Sequence, residues 1–310
     1  MDHLTQYKVG FVILHYGDTA VTDTCLKSIM DMEGWRQTLI VIVDNEVKKS
    51  SADRESTGRH FETEENITVL RNAGLGGFSE ANNLGYQYAR SHGCQFILVL
   101  NNDITFTQRD FLPRMQTAYE AKECHVMAPD VVRASTGEHQ NPMDTRIRTQ
   151  KEAAYTIRMN QVALSLFPLA YPYLRSWERK QEEQKTGGQR TGTDLEHGNS
   201  DRNTVDVACT VSMEDIVPFG ACLIFTPAFV REQEKGFDPE TLFFYEEYIL
   251  ALRCRRLGYL IRYTPSLKVL HESGAATKSA YSTNKAQTRF RLERTRDAAK
   301  VYLDYLRSGK

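Results

Sequence analysis

No stretch of about 18 uncharged apolar residues occurs anywhere in this 310-residue chain, so no segment is expected to cross a bilayer as a helix. Charge of one sign is not in excess either. With 39 basic and 40 acidic side chains there is no overall field to gather a polyanion, and a nucleic-acid partner is not expected. Cysteines are few and scattered, at 25, 94, 124, 209, 222 and 254, with no Cys-x-x-Cys pair, which argues against a zinc ribbon or a redox motif. Several sit in apolar runs such as Ala221-Cys222-Leu223-Ile224 and read as small core residues of a reducing, cytoplasmic protein. The opening Met1-Asp2-His3-Leu4 lacks a basic stretch followed by an apolar one, so a secretory leader is not expected. Two phosphate motifs are missing as well. There is no Gly-x-x-x-x-Gly-Lys-Ser/Thr loop, and the glycines at 74, 76 and 77 do not form a Gly-x-Gly-x-x-Gly run after the first strand.

What is present is an alternation of strand and helix signals. Val9 to His15, Leu39 to Val43, Ile67 to Leu70, Phe96 to Leu100 and Val126 to Pro129 read as strands. Helical spacing covers Thr22 to Met32, Glu80 to Ser91 and Arg109 to Glu120. Such alternation predicts an α/β fold with a mostly parallel, Rossmann-like sheet flanked by helices. From 133 to 205 the character shifts to a helical and loop insert. Gln150 to Gln184 reads as helical, with an apolar centre from Val162 to Leu174 broken by Pro168 and Pro172, and Thr186 to Asn203 reads as a polar loop. Regular signals resume at Val217 to Phe225, a helix from Glu246 to Leu257 stops at Gly258, and Ile261 to Tyr263 and Leu267 to Leu270 read as two strands. The tail from 284 is a basic amphipathic helix. The expected division is therefore 1–132, 133–205, 206–283 and 284–310.

Chemistry concentrates where strands end. His15-Tyr16, Asp44-Asn45, Arg71-Asn72-Ala73-Gly74 and Asn101-Asn102-Asp103 each close an apolar strand. In a parallel sheet these carboxyl ends share one edge, the place where open α/β sheets bind ligands. One acid beside two amides suits a divalent cation and a phosphate-bearing substrate, although Asn and Asp also simply favour turns. Gly74 and Gly77 allow close backbone approach to a ligand. In the second half, Phe243-Phe244-Tyr245 leads into Glu246-Glu247 at a helix start. Acids there cap a helix, and acids in an apolar pocket wall also make raised-pKa bases. His271 follows an apolar strand and is open to a structural or a ligand role.

Taken together, VGFVILHYGD, VIVDNE, RNAGLGGFSEANNLGY, FILVLNNDITF, PFGACLIFTPAFV, FFYEEYILALRCRRLGY and VLHESG resemble, in order, the bacterial family 2 glycosyltransferases of GT-A fold, rhamnosyltransferase-like. The resemblance implies that Asn101-Asn102-Asp103 stands where the family has Asp-x-Asp. Asp103 is then a ligand of Mg²⁺ or Mn²⁺, with His271 completing the metal site. It implies that Asp44 contacts the nucleotide base, and that Asn72 and Gly74 border the sugar nucleotide. Glu247 becomes the general base, with Glu246 kept as the other candidate. The implied reaction is an inverting transfer from dTDP-rhamnose or a UDP-hexose to a saccharide or lipid-linked saccharide of a cell-surface polysaccharide. A non-catalytic binding or scaffold protein of the same fold is the alternative. A sugar-nucleotide pyrophosphorylase would carry a Gly- and Arg-rich loop after the first strand, where His15-Tyr16-Gly17-Asp18 stands.

Arg146, Arg148, Lys151 and Arg158 precede the apolar segment 162–174, with Tyr171, Tyr173 and Trp177 close by in sequence, and the tail helix adds Arg289, Arg291, Arg294 and Arg296. That composition suits peripheral contact with an anionic membrane, or else packing on the core or a homodimer interface.

Overall fold

The computed structural model describes residues 8–45, 57, 59–73, 77–167, 171, 216–238, 241–272 and 283–308. Gly74, Cys209, the loop 186–203 and the insert beyond 171 lie outside the described residues.

Four strands form the first half of the sheet: β1 (Val9–His15), β2 (Leu39–Asp44), β3 (Ile67–Arg71) and β4 (Phe96–Asn101). All their ladders are parallel. Every residue of β1 is buried, as continuous apolar runs in strands covered on both faces require. The pleat divides them. Val12, Val41, Val43, Ile97 and Val99 face one core, while Phe11, Ile13, Ile40, Ile42, Leu98 and Leu100 face the other.

Helix α1 (Thr19–Met30) starts earlier than the apolar spacing alone predicts, because the Asp18 carboxylate accepts the Ala20 N–H and caps it. Helix α2 (Phe78–Ser91) covers the face made by Val12 and Val43. The three-residue strand β5 (Ile104–Phe106) is too short to have shown a periodic pattern. After it come α3 (Phe111–Ala121) and β6 (Val126–Arg133), then, past a connecting stretch, α4 (Gln150–Ser165), which opens on a Thr149–Glu152 capping box.

The second half joins the same sheet. Strand β7 (Cys222–Phe225) runs antiparallel to β4 and β6, the short α5 (Pro227–Glu232) follows, and α6 (Glu246–Leu257) stops at left-handed Gly258. The two strands expected around 261–270 are one, β8 (Ile261–His271), with a register shift against β6 opposite Pro129/Asp130. Pro265 lies within that strand, where the shift removes the need for a ladder N–H. The strand order among the described residues is β3-β2-β1-β4-β7-β6-β8-β5. Helix α7 (Asn284–Ser308) turns Ala298, Ala299, Tyr302 and Leu303 inward, so one face of the basic tail is core. The five described cysteines are buried and free.

One polar clamp joins the halves. Buried Asn83 of α2 donates to the Phe237 carbonyl (2.8 Å) and accepts the Phe237 N–H (2.9 Å), acting as a backbone strand would. Arg253 of α6 donates to the Gly236 carbonyl at 2.6 Å, bracing the same turn. Truncation to Asn83→Ala leaves both Phe237 groups unpaired in a buried site, at about 1–3 kcal/mol each. Its thermal midpoint is therefore expected several degrees below wild type. Differential scanning calorimetry checks this, and an unchanged midpoint refutes the clamp.

Candidate active site

The parallel registers fix the geometry before any side chain is considered. His15 lies beside Asp44, Asp44 beside Arg71, and Leu14 beside Asn101. The polar strand ends singled out from the sequence thus form a row along one edge of the sheet. Asp44 is 1% exposed and Arg71 is exposed, so the row runs from a buried acid to a solvent-facing cation. Asn72 sits behind them. Its N–H donates to the Asp44 carbonyl (3.0 Å) and its side chain to Asn45 Oδ1 (2.7 Å).

Beyond β4, the Asn102 amide commits its protons inside the protein, to the Tyr16 carbonyl (3.1 Å) and Thr22 Oγ1 (2.9 Å). Thr22 Oγ1 also lies 2.7 Å from His15 Nδ1. Asn102 and His15 therefore hold the β1–α1 loop against the end of β4. Thr22, a buried helix residue, had no sequence signal beyond its place in α1.

Asp103 and His271 come together although 168 positions apart. Antiparallel pairing sets His271 opposite Ile104, and the Glu272 N–H donates to the Asp103 carbonyl at 3.0 Å. His271 Nε2 then stands 3.3 Å from Asp103 Oδ1, with both side chains less than a tenth exposed. Asp103 Oδ1 is buried and has no hydrogen-bond donor. Among the described residues no group of three or more His, Cys, Asp or Glu side chains gathers to hold a metal.

The acid pair is delivered by strained backbone. Phe244 (φ 74°) and Tyr245 (φ 68°) are consecutive non-glycine residues in the left-handed region, at about 1–3 kcal/mol each. Tyr245 is held there by neighbours: its hydroxyl accepts from Arg148 Nη1 (3.0 Å), and its ring packs against Tyr248 and Tyr302. Helix α6 then begins with Glu246 and Glu247. Gly77 serves this segment, since a Cβ there would crowd Leu242 at 3.1 Å and the Phe78 N–H donates to the Leu242 carbonyl at 2.7 Å. The close approach that Gly77 allows is thus to the chain leading into the acids.

Glu246 is 4% exposed, and its Oε1 has no hydrogen-bond partner. Burial first, and then the Glu247 charge, push its carboxyl well above the usual range. Glu247 is half-buried. Burial raises its carboxyl too, offset by backbone N–H donors at 247 and 220. A side chain at 220 would collide with the Glu247 carboxylate, so Gly220 is its seat. The Ala221 carbonyl next door accepts the Asn101 N–H at 2.9 Å, and the Phe219 ring lies 5.5 Å from that of His271. Three consecutive residues thus touch the base candidate, the end of β4 and the histidine. In the sequence the stretch PFGAC marks only the approach to an apolar strand and carries no signal of these contacts.

Residues 11–180 match the family described as "Glycosyl transferase family 2", more than half of the 310-residue chain. No curated protein matches it. Among solved structures it is similar to "S. aureus TarS 1-349 in complex with UDP-GlcNAc" at 11% identity and TM-score 0.50, covering 96% of this chain and 70% of that one. It is also similar to "Mannosyltransferase PcManGT from Pyrobaculum calidifontis in complex with GDP-Man and Mn2+", at 11% identity and TM-score 0.49, over 98% of this chain and 77% of that one. Likeness at such identity is one of fold, a mixed α/β architecture with a curled, mostly parallel sheet of GT-A type. On the family match, the chain belongs to glycosyl transferase family 2.

Proposed function

We propose that this glycosyltransferase is inverting and metal-dependent, and that it moves a hexosyl group from dTDP-rhamnose or a UDP-hexose to a saccharide or lipid-linked saccharide in cell-surface polysaccharide synthesis. The observation that carries the reading is the hub Phe219-Gly220-Ala221, which links Glu247 to the donor edge at Asn101 and to His271. In this reading His15, Tyr16, Asp44, Arg71, Asn72, Gly74, Gly77, Asn101 and Asn102 form or support the sugar-nucleotide site. A scaffold protein would have no use for a buried, donor-free carboxylate oxygen at Asp103 or for a strained turn that presents two acids.

Asp103 and His271 fit a hard divalent cation. Adjacent ligand atoms around an octahedral ion at about 2.1 Å stand roughly 3 Å apart, close to the 3.3 Å between Asp103 Oδ1 and His271 Nε2. Mg²⁺ or Mn²⁺ bound there would offset charge on the departing nucleoside diphosphate. Two protein ligands suffice where diphosphate and water supply the rest. Glu247 takes the proton of the attacking hydroxyl, and the single displacement inverts the anomeric carbon. Burial and the neighbouring Glu247 charge push Glu246 up further than burial alone pushes Glu247, so of the two adjacent acids Glu247 is the one that ionises first and suits the base.

On the acceptor side, a groove of about 580 Å³ is lined by Asp144, Arg148, Lys151, Glu152, Tyr155 and Thr156. Arg148 joins it to the acids, its guanidinium 4.5 Å over the Tyr248 ring. Along α4 and its C-cap, Tyr155, Met159, Val162 and Leu166 follow at spacings of four, three and four and are 65%, 46%, 45% and 51% exposed. Lys151 and Arg158 are exposed on the same helix. An exposed apolar stripe with basic flanks is the form of a helix that rests on an anionic membrane, and it supports the reading of a lipid-linked acceptor.

Three outcomes are expected. In a screen of UDP- and dTDP-sugars with Mn²⁺, one donor raises the melting point and releases nucleoside diphosphate. Glu247→Gln keeps that binding and loses about 10²–10⁴ in kcat; a failure to bind any sugar nucleotide would leave the scaffold reading.

The second outcome concerns pH. Because the folded carboxyl of Glu246 titrates above its unfolded value of about 4.3, ionising it destabilises the fold as pH rises from there through the raised value. Glu246→Gln is therefore expected to match wild-type melting near pH 4 and to exceed it increasingly towards pH 8. A constant difference across that range would refute the raised value.

Third, wild type co-sediments with phosphatidylglycerol vesicles, and a variant with serine at 155, 159, 162 and 166 does not. No sedimentation together with a concentration-dependent dimer in ultracentrifugation would assign the stripe to a second copy instead.

A further inference from the structure

The imidazole of His271 has two nitrogens, and only one faces Asp103. The other, Nδ1, lies 2.8 Å from Gln140 Oε1. An amide oxygen only accepts, so the hydrogen of this contact belongs to Nδ1. In the neutral ring Nε2 then carries a lone pair, and that lone pair faces the region of Asp103 Oδ1 at 3.3 Å. Two electron-rich atoms, both buried, with no donor to the carboxylate oxygen, make a pair suited to a cation rather than to each other.

Gln140 is itself held in place. Its N–H donates to the Val131 carbonyl at 2.8 Å. On one side, His139 Nδ1 lies 2.8 Å from Asp130 Oδ1. On the other, buried Asn141 donates to the Pro129 carbonyl and accepts the Phe219 N–H, each at 2.6 Å. The strap carrying Gln140 is thereby fastened to β6 and to the hub that also carries Gly220. The Phe219 ring packs on His271, and the Gln140 oxygen faces its Nδ1.

We propose that Gln140 is a positioning residue for the metal site: it holds His271 as the Nδ1–H tautomer and so aims the Nε2 lone pair at the cation shared with Asp103. This rests on the metal-dependent reading above. Outer partners of this kind fix ligand orientation, and their loss costs about 10–100-fold in metal affinity.

The test uses the full chain with Mn²⁺ titrated by electron paramagnetic resonance in the presence of UDP or dTDP. It is paired with ¹⁵N-imidazole spectra of the metal-free protein. Wild type is expected to show the Nδ1–H tautomer at His271 and to bind Mn²⁺. Gln140→Leu is expected to lose the single tautomer and about 10–100-fold in Mn²⁺ affinity. Gln140→Glu, which keeps an acceptor, restores both, a rescue that a merely structural role would not produce. An Nε2–H tautomer in wild type overturns the inference, because Gln140 then presents its amino group and His271 donates to Asp103. Unchanged Mn²⁺ affinity in Gln140→Leu while His271→Ala loses binding also overturns it, leaving the metal reading intact. Absence of Mn²⁺ binding by wild type removes the metal reading and the inference with it, whereas full binding by His271→Ala removes His271 from the metal site and so overturns the inference alone.

Discussion

The active-site geometry depends on one missing side chain. Gly220 lies under the Glu247 carboxylate, and any Cβ there would collide with it. The acid can sit on the backbone only because residue 220 is glycine, and its neighbours then transmit that position outward. Ala221 holds the Asn101 N–H, and Phe219 packs on His271. Strand β7 follows immediately and runs antiparallel to β4 through Cys222, Leu223, Ile224 and Phe225. A reversal of strand direction at this point brings the second half of the chain back across the carboxyl edge of the first. With a parallel strand here, 219–221 would enter at the opposite edge and the acids could not reach Asn101.

The first half was legible because its strands are buried on both faces and therefore apolar without interruption. Val9 to His15 and Phe96 to Leu100 could hardly be anything else, and the polar residue closing each marks the edge where ligands gather. The second half was harder to read. Strand β8 contains Pro265 and alternates buried and exposed residues, so it looked like two short strands. Strand β5 has three residues. Helix α1 begins three residues before its apolar spacing does, because its start is set by Asp18 capping, which apolar spacing does not record.

Of the site, types of residue were legible and partnerships were not. Asp103, Glu246, Glu247 and His271 stand out as chemistry after apolar runs. Nothing in one sequence indicates that Thr22 ties His15 to Asn102, that Gln140 reaches His271 across 131 positions, or that Gly77 exists for Leu242. Those contacts arise from chain reversal and register, which periodicity does not encode.

The same separation between ligand and support bears on the two amides, Asn101 standing where the resemblance leads one to expect an acid and Asn102 beside it. A carboxylate at Asn102 could not donate to the Tyr16 carbonyl and Thr22 Oγ1, and the β1–α1 loop would lose its tie to β4. A carboxylate at Asn101 would add negative charge beside buried Asp103, where low dielectric makes like charges costly. It would also face an incoming diphosphate. In the proposed reading, one carboxylate and one imidazole would keep enough negative charge to attract a divalent cation and leave the remaining coordination to the donor diphosphate. The strained turn at Phe244 and Tyr245 fits the same logic. Its cost is offset, in the proposed reading, by the delivery of two adjacent acids at the start of α6.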